Sequence, residues 1–475
     1  MKRFDMARIK NIHLIGIGGC GVGSIGKILL GMGYKISGSD LKESANTIRL
    51  RELGANLFFE HSASNVREAD LVVYSSAISD TNPEMLEAKA RQTPIIQRAE
   101  MLSWIMSQSK VPIAIAGTHG KTTTTSMTSL VFDRCGLNPT FLIGGENNDV
   151  GGNARLGDGK FSIAEADESD GSFIFLRPKI SVITNIEADH LDHYADLKSI
   201  MDIFVEFANL LPKDGTLIIC IDDENNKKLL SRIETEAKVV TYGFSNDAQI
   251  QAKNISFGEG SAKFEVFKEG RLLGEVKLNV PGMQNIENSL AAVCCGLEAG
   301  IDFMALNTAL RCFTGVKRTF QLIGKARGVL IYDDYGHHPT EVAVTLRSAK
   351  SSWSQLNRVI CVFQPHRFSR TMHLREEFGK CFKDADKVIL TDVYSAGEAS
   401  ISGITGETLF DEVKKSGHKD VTYIQKKQDI PNHLLSILEE GDLVLTMGAG
   451  DIHTVGKELY SRMRESKKSS SKGGV

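Results

Sequence analysis

The sequence predicts an α/β protein of three domains, and three observations carry that prediction. Its 475 residues exceed what one ordinary hydrophobic core organises. Short apolar runs alternate with helical stretches along the chain, the βαβ rhythm that builds parallel sheets. Two separate glycine turns each follow an apolar strand and open a helix, so two different sheets each carry a nucleotide-type turn. No internal repeat is apparent, and the three blocks share a class without sharing motifs. The expected boundaries are 1–108, 109–314 and 315–475.

In the first block the strands are IHLIGIG, YKISGSD, ANLFFEH, DLVVYSSAI and PIIQRAE. Gly16, Gly18, Gly19, Gly21 and Gly23 are expected between the first strand and its helix, where a tight turn brings backbone amides to a diphosphate. Asp40 ends the next strand, where a Rossmann-like sheet meets a ribose hydroxyl. Alone, this turn reads as an NAD site. Glycines that merely let the helix pack on the strand are the structural alternative.

The second block opens on the apolar strand VPIAIA and runs into Gly117-Thr118-His119-Gly120-Lys121-Thr122-Thr123, then a helical stretch. Small residues let backbone amides converge on phosphate oxygens, Lys121 supplies a mobile positive charge, and the Thr122 hydroxyl suits magnesium. This makes the chain a user of ATP. The glycine that the full P-loop pattern requires is replaced by Ile115, so the cradle is of a shortened type. FSIAEADES, ISVITNIE, GTLIICID and AKVVTYGF read as buried strands, QIQAKNISF, SAKFEVFK and RLLGEVKLNV as antiparallel ones, and NIENSLAAVCCGLEAG as the closing helix. Two acidic clusters, residues 165–170 and 185–193, sit just past strands, on the ligand side of an open α/β sheet. Oxygen-rich clusters there suit magnesium, and a histidine such as His190 suits manganese as well. For any one of these acids alone, a helix cap is the competing role.

The third block has strands GVLIYDDY, RVICVFQP, KVILTDVY, DVTYIQ and DLVLTMGAG, a second doubly wound sheet. Residues 333–341 (DDYGHHPTE) and 364–371 (QPHRFSRT) each follow a strand. Arg367 and Arg370, three apart, can fork around phosphate or carboxylate oxygens. His338, just before Pro339, has a helix-start reading beside the functional one. No zinc-ligand spacing occurs.

A net charge of −3 and a pI near 6.5 argue against a nucleic-acid partner. The eight cysteines include no CxxC pair and read as reduced thiols of a cytoplasmic protein. The apolar run near the start is too short for a signal peptide or a membrane span, so no membrane insertion is expected. The terminal SKKSSSKGGV is expected to fray.

Together, GIGGCG, GTHGKTTTT, EADESDGSF, TNIEADHLDHY, PGMQNIENSLAA, GVKRTF, DDYGHHPTE, FQPHRFSRT and GAGDI resemble the Mur ligases of peptidoglycan precursor synthesis, over nearly the whole chain. The resemblance implies a Rossmann-like UDP-binding domain, a P-loop-type ATP-binding central domain and a C-terminal Rossmann-like lid. It is greatest to members that join L-alanine to UDP-N-acetylmuramate, with ATP and magnesium required. Gly18, Gly19, Gly21, Asp40, Ser75 and Ser76 are then the UDP-sugar candidates. Gly117, Thr118, His119, Gly120, Lys121, Thr122 and Thr123 hold phosphates, while Asn285 and Asn288 meet adenine and Arg318 meets the nucleotide. Thr122 and Glu165 bind one metal and His190 a second. Lys121, Asp334 and His366 are the catalytic candidates, and Tyr335, His366, Arg367 and Arg370 fall where the alanine and the transferred phosphate are expected. Lid closure hinges near residues 313–318. One departure is Gln284, where the family usually has histidine. Lys198 falls too early for the carbamylated lysine of some sister ligases.

The competing readings are a muropeptide-recycling ligase that adds a tripeptide, a folate polyglutamate ligase, a silent ATP-binding scaffold and a reductase. GIGGCG and EADESDGSF favour the alanine type, and the first glycine turn opposes the folate ligase. Retention of Glu165, His190 and Asp334 opposes the scaffold, and the second nucleotide turn opposes the reductase.

Overall fold

A computed structural model describes residues 5–190, 193–353 and 356–470. Within it β1 (Asn11–Ile15), α1 (Cys20–Gly31), β2 (Lys35–Ser39), α2 (Ala45–Glu52), β3 (Asn56–Phe58), β4 (Leu71–Tyr74), α3 (Pro83–Ala90), β5 (Ile95–Gln97) and α4 (Arg98–Ser107) build the first sheet. Its order is β3-β2-β1-β4-β5, parallel throughout. The strands lie where the apolar runs predicted. The glycines differ: α1 begins at Cys20, so Gly21 and Gly23 are helical rather than part of the turn. Both serve close packing. A Cβ at Gly21 would lie 3.1 Å from the Arg98 side chain, and one at Gly23 would lie 2.9 Å from the carbonyl of Ile17.

The second sheet follows with β6 (Val111–Ala116), α5 (Lys121–Arg134), β7 (Thr140–Asn147), β8 (Gly152–Arg155), β9 (Phe161–Glu165), β10 (Ile180–Ile183), α6 (Leu197–Asn209), β11 (Thr216–Cys220), α7 (Glu224–Leu230), β12 (Lys238–Gly243), β13 (Ile250–Gly258), β14 (Ser261–Lys268), β15 (Arg271–Leu278), α8 (Met283–Glu298) and α9 (Phe303–Leu310). The order is β15-β14-β13-β12-β11-β10-β6-β9-β7-β8. β6, β9 and β10 run parallel, so their carboxyl ends deliver Gly117, Glu165 and Thr184 to one edge. Glu259-Gly260 and Glu269-Gly270 have positive φ at both positions, the two-residue turn that suits antiparallel neighbours. α5 contains four consecutive threonines, poor helix formers. Packing overrides propensity here, because residues 123–132 of α5 are all buried. Thr125 and Thr128 satisfy their hydroxyls on the carbonyls four residues back.

The third sheet comprises β16 (Gln321–Ala326), β17 (Val329–Asp334), α10 (Pro339–Ser351), β18 (Val359–Phe363), α11 (Phe368–His373), α12 (Arg375–Lys380), β19 (Lys387–Leu390), α13 (Gly406–Lys415), β20 (Val421–Tyr423), α14 (Ile430–Ile437), β21 (Leu443–Met447) and α15 (His453–Ser470). The order is β16-β17-β21-β18-β19-β20, with only β16 antiparallel. Alternate residues of β18 face opposite sides. Val359, Cys361 and Phe363 join a core with Val342 and Leu346 of α10, whereas Ile360 and Val362 join one with Leu434 of α14 and Leu459 of α15. Helices on both faces make the sheet doubly wound, as expected. α15 continues to Ser470, so the first part of the tail expected to fray is helical, and 471–475 lie outside the described residues.

By internal contacts the chain divides into two compact units. One runs up to Lys253 and includes Glu265–Val276 and Glu287–Phe313. The other comprises Asn254–Phe264, Lys277–Ile286 and the chain from Thr314 onward. In the first unit a single core runs through both sheets, from Ile12 and Leu14 to Ala114 and Phe204. Of the eight cysteines, Cys220, Cys294, Cys295, Cys361 and Cys381 are buried, Cys20 and Cys135 are half-buried, and Cys312 is exposed; all are free thiols. Among the described residues no helix is long and apolar enough to cross a membrane.

Candidate active site

The turn between β6 and α5 is shaped by two glycines. Gly117 has φ +132°, and a Cβ there would lie 2.0 Å from the Thr184 hydroxyl. Gly120 has φ +83°, and its Cβ would lie 2.5 Å from Asn288 Oδ1. That left-handed backbone favours glycine. The loop is tied down from the neighbouring strand end. Thr118 N–H donates to the Asn185 carbonyl at 2.9 Å, His119 N–H to Asn185 Oδ1 at 2.8 Å, and the Thr184 hydroxyl to the His119 carbonyl at 2.7 Å. His119 Nε2 lies 2.8 Å from Glu187 Oε2. Asn288 Oδ1 also accepts from the Thr124 hydroxyl at 3.1 Å.

Lys121 folds back over this turn and donates to the carbonyls of Gly117 at 2.7 Å and Thr118 at 3.0 Å, and to Glu168 Oε1 at 2.9 Å. Burial pulls its pKa down, but Glu168, Asp167 and Glu165 outweigh burial and leave it raised. Thr122 donates to Glu165 at 2.9 Å, and the N–H of Gly144 holds Glu165 Oε2 at 2.8 Å. Burial raises the pKa of Glu165 against the pull of Lys121 and pushes Glu168 up to about 7. Asp167 is lowered: burial opposes this, and Lys121 and Arg98 prevail. His190, at φ 53°, places Nε2 3.8 Å from both Glu168 Oε1 and Asp189 Oδ2. Leu191 and Asp192 of the second acidic cluster lie outside the described residues.

This donor set fits a divalent cation. Three carboxylates face one ammonium, Thr122 and Glu165 present hard oxygens to one point, and Glu168 Oε2 is buried with no hydrogen-bond partner. Gly117 and Gly120 let the turn pack against Thr184 and Asn288, where a Cβ would collide, and the small residues suit a phosphate cradle.

A cavity of about 360 Å³ joins the first glycine turn to these carboxylates within the same unit. Gly16, Gly19, Gly21, Ser75 and Ser76 line one end, Glu165 and Asp167 the other, and Leu102, Leu142 and Ile143 form an apolar wall. Gly18 and Asp40 are not in this lining; Asp40 Oδ2 instead accepts the N–H of Gly18 at 2.8 Å and fixes the turn. Arg98 is the one cation among the described residues that line the cavity, 3.4 Å from Asp167 Oδ2. Sequence reasoning missed Arg98, whose partner Asp167 lies 69 residues away in the chain.

In the second unit Arg318 donates to Asp333 at 3.0 Å and to the Gly448 carbonyl at 2.7 Å, with its guanidinium 4.9 Å over the Tyr335 ring. Both oxygens of buried Asp334 are engaged by backbone, one by Phe320 N–H and the other by Gly336 N–H, each at 2.7 Å. Burial still pushes its carboxyl up to about 7. His338 caps α10 in a reciprocal arrangement with Glu341, with Pro339 in the first turn. His366 stacks on Tyr394 at 5.7 Å, and its Nδ1 lies 3.3 Å from Arg370 Nη1. Burial, then His337, Arg370 and Arg367, drive its pKa down to about 4. Arg367 approaches Glu398 at 3.9 Å. Tyr335 thus follows β17, while His366 and Arg367 follow β18 and Arg370 lies in α11; β21, parallel to both strands, separates β17 from β18 in the sheet. On α8, Asn285 donates to the Pro281 carbonyl at 2.6 Å, and Gln284 accepts from the Ser348 hydroxyl at 3.0 Å.

Three family descriptions match in succession: Mur ligase family, catalytic domain over residues 11–110, Mur ligase middle domain over 115–296, and Mur ligase, glutamate ligase domain over 318–450. The chain is 47% identical over 461 residues to a UDP-N-acetylmuramate–L-alanine ligase of Geobacter sulfurreducens, covering 97% of this chain and 99% of that one. It is also 47% identical over 458 residues to the protein of the same name from Geotalea daltonii, covering 96% and 99%. Among solved structures, a UDP-N-acetylmuramate-alanine ligase from Thermotoga maritima superposes with a TM-score of 0.81 at 29% identity, covering 97% of this chain and 100% of that one. With all three domain types in order and near-complete coverage at such identity, the chain belongs to the Mur ligase family.

Proposed function

We propose that this chain joins L-alanine to the lactyl carboxylate of UDP-N-acetylmuramate, forming ADP and phosphate through an acyl phosphate, in the cytoplasmic synthesis of peptidoglycan precursors. The observation that carries this reading is the cavity running from the Gly16–Gly19 turn to Glu165, because a sugar-borne carboxylate and a γ-phosphate must share one enclosure. The names of the relatives at 47% identity support the substrate pair. We assign residues 1–108 to the UDP-sugar, 109–314 to ATP and 315–475 to the amino acid.

A carboxylate does not condense with an amine in water at useful rates, so it first acquires a leaving group from ATP. Lys121, now on the Gly117 and Thr118 carbonyls, turns its ammonium to the β- and γ-phosphates. Thr122 and Glu165 would hold one magnesium and His190 a second, manganese being an alternative, and such an ion supplies neutralisation of phosphate charge. Asn285 and Asn288 serve adenine and Arg318 the nucleotide. Arg98, on the cavity wall, is placed to orient an anionic part of the sugar substrate. Leu102, Leu142 and Ile143 exclude water that would hydrolyse the acyl phosphate. Asp334 works by fixing Phe320 and Gly336 on either side of it. Arg367 and Arg370 take the alanine carboxylate, Tyr335 and neutral His366 flank it, and the amine adds to the acyl carbonyl and expels phosphate.

Phosphate release with UDP-N-acetylmuramate and equal concentrations of L-alanine, glycine, L-serine or L-alanyl-γ-D-glutamyl-diaminopimelate tests the assignment. L-Alanine should react fastest, with glycine and serine slower by the roughly 10–200-fold that one small group gives in a tight pocket. A preference for the tripeptide overturns the alanine assignment.

A further inference from the structure

Asn153 is buried in β8 and spends its whole amide on one stripe of α1. Its Oδ1 accepts from Lys27 Nζ at 2.5 Å, and its Nδ2 donates to Ser24 Oγ at 2.9 Å and to Cys20 Sγ at 3.3 Å. Residues 20, 24 and 27 are i, i+4 and i+7, one face of the helix that starts at the first glycine turn. The chain of contacts continues. The Cys20 thiol donates to the Gly144 carbonyl at 3.0 Å, the Gly144 N–H donates to Glu165 Oε2 at 2.8 Å, and Glu165 receives the Thr122 hydroxyl. Gly144 must be glycine for this, because a Cβ would lie 2.5 Å from Glu165 Oε2. Cys20 and Gly144 both line the cavity. Burial keeps the Cys20 thiol protonated and therefore able to donate.

We propose that Asn153, through Cys20 and Gly144, is a positioning residue that couples the sugar-binding turn to Glu165. A ligand that orders the start of α1 orders Cys20 with it, and the Gly144 peptide then holds Glu165 where the nucleotide and its metal are met. The second ligand finds its carboxylate already fixed, which makes binding of the two mutually favourable. This rests on the cavity holding UDP-N-acetylmuramate beside ATP.

The test is calorimetric titration of the full chain with magnesium and a non-hydrolysable ATP analogue, with and without saturating UDP-N-acetylmuramate. In the unaltered protein the sugar nucleotide should tighten analogue binding by about fivefold or more. Asn153→Leu and Cys20→Ala should each bring that factor to within about twofold of unity while each ligand still binds alone, and Cys20→Ser, which keeps an O–H donor, should preserve it. Should Asn153→Leu fail to fold, Cys20→Ala decides. Undiminished coupling in the Leu or Ala variants, or an unaltered protein that binds both ligands without coupling, overturns the proposal alone. An unaltered protein that does not bind UDP-N-acetylmuramate overturns the functional reading and this proposal with it.

Discussion

At Lys121 two opposing forces act on one ammonium: burial, which favours the neutral amine, and the fields of Glu168, Asp167 and Glu165, which favour the charge and win. Lys121→Ala leaves three carboxylates with no ammonium among them and removes the charge proposed to meet the phosphates. Turnover should fall by about 10²–10³-fold or more, the usual cost of deleting one electrostatic stabiliser. UDP-N-acetylmuramate affinity, measured by calorimetry, should stay within about twofold of the original, because the site proposed for that handle is the other glycine turn. Loss of sugar binding as severe as loss of turnover would contradict the division of labour. His366 makes a second residue-scale prediction. Its folded pKa of about 4 lies below the ordinary value of 6.5, so the unfolded chain takes up the proton first as pH falls. The stabilisation from neutral His366 is therefore complete above about pH 6.5 and is lost as pH falls through about 4. Between about pH 7 and about pH 5, the unfolding midpoint of His366→Gln should drop less than that of the unaltered protein, and equal drops would count against this cause.

Among the elements, the β6–turn–α5 unit concentrates the chemistry, and its turn depends on backbone that only glycine adopts without strain. Gly120→Ala must hold φ near +83° and push Asn288 away. We expect a loss of roughly 1–2 kcal/mol in urea unfolding from the left-handed backbone, with weaker ATP binding besides. A variant as stable and as tight as the original would show that the turn is not constrained as described. This unit was legible in the sequence because strand, turn and helix are contiguous. The five strands of the first sheet were legible for the same reason. The β7–β8 hairpin was not, since GGENNDVGG, which holds the end of β7, the turn and the first residue of β8, reads as loop, and edge strand β16, with most of its residues half-exposed, lacks an alternating pattern. The unpredicted site residues share one property. Arg98 meets Asp167 and Asn153 meets Ser24 across 69 and 129 residues, contacts fixed by the packing of sheets rather than by any local pattern. Gly21 and Gly23 were found but misplaced, because glycines that let a helix lie close to its neighbours and glycines that form a turn look alike in a sequence.

On the scale of the whole molecule, three domain types of the Mur ligase family follow one another, two of them sharing one core in the first unit. That shared core keeps the glycine turn of the first sheet and the Glu165 and Asp167 carboxylates of the second at opposite ends of one cavity, and Glu165 in turn accepts from Thr122 beside Lys121. The central claim is that the lactyl carboxylate of the sugar substrate takes up the γ-phosphoryl group and becomes an acyl phosphate before the amine adds. UDP-N-acetylmuramate labelled with ¹⁸O in both lactyl carboxylate oxygens tests it most directly, with the products of one turnover analysed by mass spectrometry. The account predicts one ¹⁸O in the released inorganic phosphate and one in the new amide; unlabelled phosphate, or label appearing in AMP, would contradict it.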